Sequence, residues 1–213
     1  ECNCITDAGA MSSGQTDACV DEEVTALYIG GGVYDGDDTL AFILHDGNLP
    51  GGIISWNSVP DFVFVPGMVP GQVYYISAVV GSNASNGLPD VTDPCLSISN
   101  AQPIVFYNLP VAMTIDSALL RCDPQSVTLD IGQSDTGTSI NYFWSAYDGG
   151  TIIGPDDGAS ITAGSQGSYV LRIENDLTGC ISSDTIDVIP SILSIEGLGI
   201  TITPPLCPGD CNG

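Results

Sequence analysis

The chain has 213 residues, of which 26 are Asp or Glu and only 2 are basic, giving a formal net charge of −24. A surface of that sign repels phosphate and so excludes nucleic acid and anionic membranes as partners, leaving divalent cations and basic proteins. With 43% hydrophobic and 13% charged residues the composition is that of a packed chain rather than a disordered one, and no apolar run approaches the length of a membrane span.

The first residues, ECNC, place Cys2 and Cys4 at one tip, and CPGDCNG places Cys207 and Cys211 at the other. Eight cysteines beside 26 glycines and 14 prolines point to an oxidising, extracellular setting and a disulfide framework. Glu1 opens without a basic and apolar leader, so the expectation is a processed chain or an internal segment. Structural zinc needs four ligands in paired short spacings, and in this setting disulfides are expected instead.

Helix signals are almost absent. Short runs rich in Val, Ile, Tyr and Thr alternate with Gly, Pro, Asn and Asp clusters, the strand-and-turn pattern of β-sandwiches. The predicted strands of the first half are EEVTALYI, DTLAFILHD, GGIISWN, DFVFVP, GQVYYISAVVG and QPIVFYN. Asp35, Asp37 and Asp38, in YDGDDT, offer three carboxylates around a glycine, a possible calcium turn beside its simpler reading as a solvated one; Asp156 and Asp157 in GPDDG form a second such turn. Gly30 to Gly32 lead into VYDGDD and not into a Lys-bearing helix, so they are no phosphate loop. The single histidine, His45, stands beside Asp46 at a strand end and is expected on the surface. His45 beside Asp46 is a two-residue coincidence in a chain rich in aspartate, and paired carboxylates of the glycosidase type stay open although nothing singles out a pair, so a non-enzyme is expected. In MVPGQVYY, Pro70-Gly71 makes a turn and the hydroxyl of Tyr74 or Tyr75 closes a corner, as in the L-x-P-G-x-x-Y corner of fibronectin type III domains, which this stretch resembles.

A proline-marked segment, Asn108 to Asp116, opens a second set of strands: QSVTLDIG, INYFWSAYD, ASITAG, GSYVLRIEND and DTIDVIP. YFWSAY around Trp144 and the later GSYVLRIENDLTGC, with Tyr169, together resemble immunoglobulin-like and polycystic-kidney-disease-type sandwiches. Cys180 lies well beyond Tyr169, in the turn after its strand, and its natural partner is Cys122, a peripheral staple. Closing a loop of roughly 60 residues in this way contributes about 4 kcal/mol in the chain-entropy account. Cys19 and Cys95 bracket the first domain and are its expected staple, with Cys2 and Cys4 competing for either. The fold expected is therefore all-β: two tandem antiparallel sandwiches, 1–110 and 111–190, followed by an extended segment, 191–213. The apolar alternation from Ile192 to Thr203 reads as a last strand, a linker, the start of a further domain, or a strand donated to a neighbour.

Taken in order, CNCITDAGAMSSG, DDTLAFILHDG, GQVYYISAVVG, DPCLSISNAQPIVFYNLP, then CDPQSVTLDIG, YFWSAYDG and GSYVLRIENDLTGC, and last PPLCPGDCNG, resemble a repeat module of very large Bacteroidota surface proteins of the type IX-secreted, gliding-motility-adhesin kind. The resemblance implies export to the cell surface, no catalytic residues, and a place in adhesion, motility or filament building. Asp-Ser/Thr-apolar triplets at Thr39, Ser117 and Thr185 resemble the O-glycosylation signal of such proteins, with Ser117, in the interdomain segment, the favoured site; Asn83-Ala84-Ser85 fits the eukaryotic N-glycosylation sequon. Without lysine, Lys–Asn isopeptide strengthening is closed. The functional expectation is a non-enzymatic structural module of an extracellular adhesin or surface filament, without cofactor unless calcium, self-associating with other copies or flanking repeats. The alternative is a module binding carbohydrate or protein, for which Trp56 is the aromatic candidate.

Overall fold

The computed structural model describes residues 5–84, 87–121 and 125–191. The chain divides into two compact units, Glu1–Asn108 and Leu109–Gly213. Every regular element among the described residues is a strand, and among those residues no helix is long and apolar enough to cross a membrane.

Unit 1 contains β1 (Ala10–Met11), β2 (Thr16–Cys19), β3 (Glu23–Thr25), β4 (Tyr28–Gly30), β5 (Asp38–His45), β6 (Ile53–Asn57), β7 (Asp61–Val63), β8 (Val73–Ser82) and β9 (Ser97–Tyr107). Its main sheet runs β2-β9-β8-β5-β6, and the short pairs β3-β7 and β1-β4 complete the unit. Period-two alternation decides which residues fill the core. Phe42 and Leu44 on β5, Tyr74, Ile76, Ala78 and Val80 on β8, and Ile104 and Phe106 on β9 pack with Met11, Val24 and Phe62 from the smaller pairs. The opposite face of the main sheet is also dry, with Ala41, Ile43, Ser77 and Val79 buried. The β8–β9 connection crosses that face near Gly81, where a Cβ would lie 2.9 Å from Leu96 Cδ1.

Unit 2 contains β10 (Ser117–Leu120), β11 (Val127–Asp130), β12 (Ile140–Tyr147), β13 (Ile152–Ile153), β14 (Ser160–Ala163), β15 (Gly167–Asn175) and β16 (Ile181–Pro190). Sheets β10-β16-β15-β12 and β11-β14-β13 enclose a core of Trp144, Tyr169, Leu171, Ile173, Ile186 and Val188 against Leu129, Ile161 and Ala163.

Both main sheets are antiparallel except at one edge, where an early strand of the unit lies parallel to its last: β2 beside β9, and β10 beside β16. Residues upstream of β2 already follow β9 from its start, Ala8 N donating to Ser97 Oγ (3.0 Å) and Met11 N to Asn100 Oδ1 (3.0 Å). In unit 2 the chain enters against the start of β16, where Ser182 Oγ donates to the Pro110 carbonyl. It leaves at the other end, where Ser191 N donates to the Leu120 carbonyl (2.9 Å).

Candidate functional site

The turn before β8 and the residues after it show how local sequence sets the geometry. Gln72 N donates to Val69 O (3.2 Å) across Pro70-Gly71, and Gly71 has φ +80°, the left-handed backbone that the third position of such a turn demands. The strand then returns Tyr74, whose hydroxyl accepts from Val69 N at 2.7 Å and closes the corner. Tyr75 points to the other face and stacks on His45, ring centroids 5.6 Å apart.

His45 corrects the sequence expectation. It is 3% exposed, not a surface residue, because it ends a strand whose outer face is covered. Gly47 N donates to Nδ1 (3.2 Å), so the neutral ring carries its proton on Nε2 and donates it to Ser77 Oγ, also 3.2 Å away. A Ser–His contact beside Asp46 has the residue types of a hydrolase but the opposite wiring. The base nitrogen is occupied, Nδ1 has no proton to offer a carboxylate, and Ser77 is 1% exposed. Burial lowers the His45 pKa, opposed by Asp46, and so favours the neutral ring. A shallow depression of ≈ 310 Å³, lined by His45, Asp46, Gly47, Asn48, Tyr75 and Ala101, lies outside this pair.

At the first acidic turn, Asp38 Oδ2 accepts from Thr6 Oγ1 (3.0 Å) and Asp35 N (3.1 Å). Asp35 Oδ1 accepts from Asp37 N (3.3 Å), and interaction between the two neighbouring carboxyl groups lowers the pKa of Asp35 and raises that of Asp37. Among the described residues no three carboxylate, imidazole or thiol groups converge to hold a metal ion. The second acidic turn covers a sheet edge: Trp144 N donates to Asp156 O (2.7 Å) and Trp144 Nε1 to Gly158 O (2.9 Å).

Cys19, Cys95 and Cys180 are each disulfide-bonded. Cys180 is fully buried in the connection after β15; Cys2, Cys4, Cys122, Cys207 and Cys211 lie outside the described residues. The expected Cys19–Cys95 pairing is excluded by register. Cys19 lies beside Tyr107, whereas Cys95 precedes the other end of β9, about 30 Å away at strand rise, and a disulfide requires Cα atoms within about 7 Å.

Ser117 is exposed, but it is the first residue of β10 and pairs with Asp187 rather than lying in a linker. Thr185 is exposed on β16, and Thr39, on β5, is half-buried. In the N-glycosylation triplet, Asn83 bridges to Pro89 and Ser85 lies outside the described residues. The extended segment is outside them too, beyond Ser191.

Trp56 is half-buried. The more open aromatics, which the sequence reading passed over, are Tyr147 (57% exposed) and Phe143 (41%) on the outer face of β12. Arg172, ion-paired with Glu174 at 2.9 Å, stands 5.1 Å from the Phe143 ring centroid. Alternation within INYFWSAY carried the signal: with Trp144 inside, Phe143 and Tyr147 must point out.

No family model matches the chain, and no curated protein matches it. Among solved structures it is similar to the I67–I69 I-band fragment of titin, at 8% identity over 87% of this chain and 65% of that one, TM-score 0.32. The insect immune protein hemolin gives 12% identity over 88% and 47%, TM-score 0.33. Drosophila N-cadherin EC1-4 gives 13% identity over 86% and 48%, TM-score 0.30. The chain thus spans less than two thirds of each, and similarity at this level assigns neither unit to a family.

Proposed function

We infer that the chain is a non-enzymatic structural module of an extracellular adhesin or surface filament, stapled by disulfides and assembled with other copies end to end or by strand donation. The observation that carries this reading is the parallel clamp at each unit's edge. In unit 2 the chain enters near Ser182 and leaves near Pro190, so tension on its two ends slides β10 past β16 along their shared axis. Four paired positions, Ser117↔Asp187 to Leu120↔Pro190, are then loaded together, whereas a hairpin pulled from one end opens one bond at a time. Upstream of the clamp the strand is tied again: Asp135 N donates to Val111 O and Gln133 N to Met113 O, both at 2.8 Å. Unit 1 repeats the design with β2 and β9. The wiring of His45 and Ser77 supports the absence of catalysis.

Force spectroscopy on single chains pulled from their termini tests this reading. Asp187 N donates to Asp116 O and Ser191 N to Leu120 O, so even-numbered residues of β10 direct their backbone at β16. Ala118→Pro removes a ladder donor and is expected to lower the unfolding force of unit 2. In Leu119→Pro the lost N–H faces away from β16, and the force is expected to stay near the parent value. Equal forces for the parent and Ala118→Pro would sink the mechanical reading.

The alternative, a module binding carbohydrate or protein, draws its support from the outer face of the four-stranded sheet, where Phe143, Tyr147, Leu119 and Ile189 are exposed. It requires a ligand whose binding is lost in Tyr147→Ala; a glycan array without hits would leave only protein partners.

A further inference from the structure

A string of acidic modules has to associate through uncharged surface, and the sheet edges differ sharply in how open they are. β2 and β11 carry Asp17 and Asp130, β10 has four residues and β13 two. β12 is long enough to accept a strand, but the 154–158 turn lies on its edge through Asp156 O and Gly158 O. β6 has none of these protections. It is the outermost strand of the unit 1 sheet, holds five residues, and has no charge, proline or lysine; no charged residue occurs between Asp46 and Asp61. Ile54 is 36% exposed on it. Natural sheets blunt such edges with the devices that β6 lacks, since open backbone donors and acceptors invite another strand.

Beyond the described residues the sequence carries an uncharged, alternating apolar segment. Leu198, Ile200 and Ile202 alternate with Gly199, Thr201 and Thr203, and no charge occurs from Gly197 to Gly209. This segment follows the point where the chain leaves unit 2, at the pole away from its connection to unit 1. From Ser182 to Pro190 along β16 is about 26 Å at strand rise. An extended linker from Ser191 to Leu198 reaches about 25 Å at most. The linker therefore spans no more than the length of β16 before the uncharged segment begins.

We propose that residues Leu198–Thr203 of one copy add as a strand to the β6 edge of unit 1 of a second copy. This rests on the structural-module reading and supplies its joint. The Leu198, Ile200 and Ile202 row continues the sheet face that carries Ile54 and Trp56, and main-chain hydrogen bonds of the new strand satisfy the open edge. Donor and acceptor are different surfaces, so the contact is heterologous and propagates into a filament rather than closing as a two-fold dimer.

Sedimentation velocity on full-length chains tests the joint through complementation. Ile54→Lys blocks the acceptor; Ile54→Glu blocks it with the opposite charge and separates edge blocking from altered net charge. Ile200→Asp disables the donor. The parent chain is expected to form concentration-dependent oligomers, and each variant alone to lose more than about tenfold in association constant, a difference of about 1.4 kcal/mol. An equimolar mixture of Ile54→Lys and Ile200→Asp should form a species of two copies and no larger, because one good donor meets one good acceptor. That outcome also shows that the Ile54→Lys copy is intact enough to donate. If both Ile54 variants associate like the parent while Ile200→Asp does not, strand donation goes to another edge and β6 is wrong as acceptor. If the parent associates but Ile200→Asp does so equally, the donor is wrong while the module reading stands. A parent that stays monomeric overturns the proposal together with the self-association part of that reading.

Discussion

The two units build the same joint with different strength. In each, a tyrosine on a central strand closes a corner, and two residues later comes an aliphatic residue, Ile76 in unit 1 and Leu171 in unit 2, fully buried at the position where antibody domains place a core cysteine. Opposite these stand Leu44 and Trp144 respectively. Tyr74 receives one bond, from Val69 N. Tyr169 is bound on three sides: it accepts from Thr151 N (2.9 Å), and Ser165 O (2.8 Å) and Thr151 O (3.0 Å) share its proton. The disulfide-bonded cysteines lie outside both core clusters; Cys19 and Cys95 sit at opposite ends of β9, and Cys180 in a connection between strands. Packing and a tyrosine hydroxyl, rather than a disulfide between the central strands, hold each core.

The comparison is broken most strongly at Trp144. Trp144→Ala removes the largest side chain facing Leu171 and the indole bond to Gly158 O, and is expected to destabilise unit 2 by about 3–5 kcal/mol. Differential scanning calorimetry should then show one transition shifted down and the other, from unit 1, unmoved. Two transitions that shift together would mean that the units do not fold separately.

A smaller effect separates the two corners. Tyr169→Phe strands the Thr151 N–H in a part-buried site and should cost about 1–3 kcal/mol. Tyr74→Phe frees Val69 N, but Val69 is exposed and water can take the tyrosine's place, so the cost should be about 1 kcal/mol or less. Denaturant titration of the two variants checks the order; a larger loss in Tyr74→Phe would reverse the account of which joint is stronger.

Much of this plan was legible in local pattern. INYFWSAY and GSYVLRIEN alternate, and each became a strand with one apolar row inside; DTLAFILH and GQVYYISAVVG are near-continuous apolar runs, and each became a strand buried on both faces. The corner was legible because Pro-Gly fixes a turn and leaves a tyrosine, Tyr74 or Tyr75, just beyond it; the strand's facing decides for Tyr74. The clamp strands were not. Thr-Asp-Ala-Cys on β2 and Ser-Ala-Leu-Leu on β10 are four residues each, and their hydrogen bonds go to strands about 70–90 residues later, a pairing that period-two reading cannot see. The Cys19–Cys95 expectation failed for the same reason: bracketing in sequence said nothing about β9 holding the two apart. His45 was missed because a histidine at a strand end looks solvated until the β8 residues Tyr75 and Ser77 are known to close over it.

His45 yields the subtlest test of how unit 1 differs from unit 2, which contains no histidine. Its pKa is lowered in the folded state by burial, with Asp46 as the opposing charge, while the unfolded chain titrates near the ordinary value of 6.5. Between those two values the unfolded state binds more protons, so stability rises with pH there. The contribution of the neutral ring is complete above pH 6.5, is lost as pH falls from 6.5 towards the folded value, and is constant below it. Protonation would also set an N–H on Nδ1 against the Gly47 N–H that donates to it. In the same range the carboxylates of a chain this acidic begin to lose their mutual repulsion, which stabilises both units and masks the effect. The histidine is therefore read as a difference: the unit 1 transition of the parent minus that of His45→Gln, followed from pH 8 to about pH 5. The parent should lose stability relative to the variant across that range, with the unit 2 transition the same in both chains. A flat difference would mean that the folded protein accepts a charged ring at position 45 at no cost, and that the Gly47–His45–Ser77 chain of hydrogen bonds does not hold the neutral form.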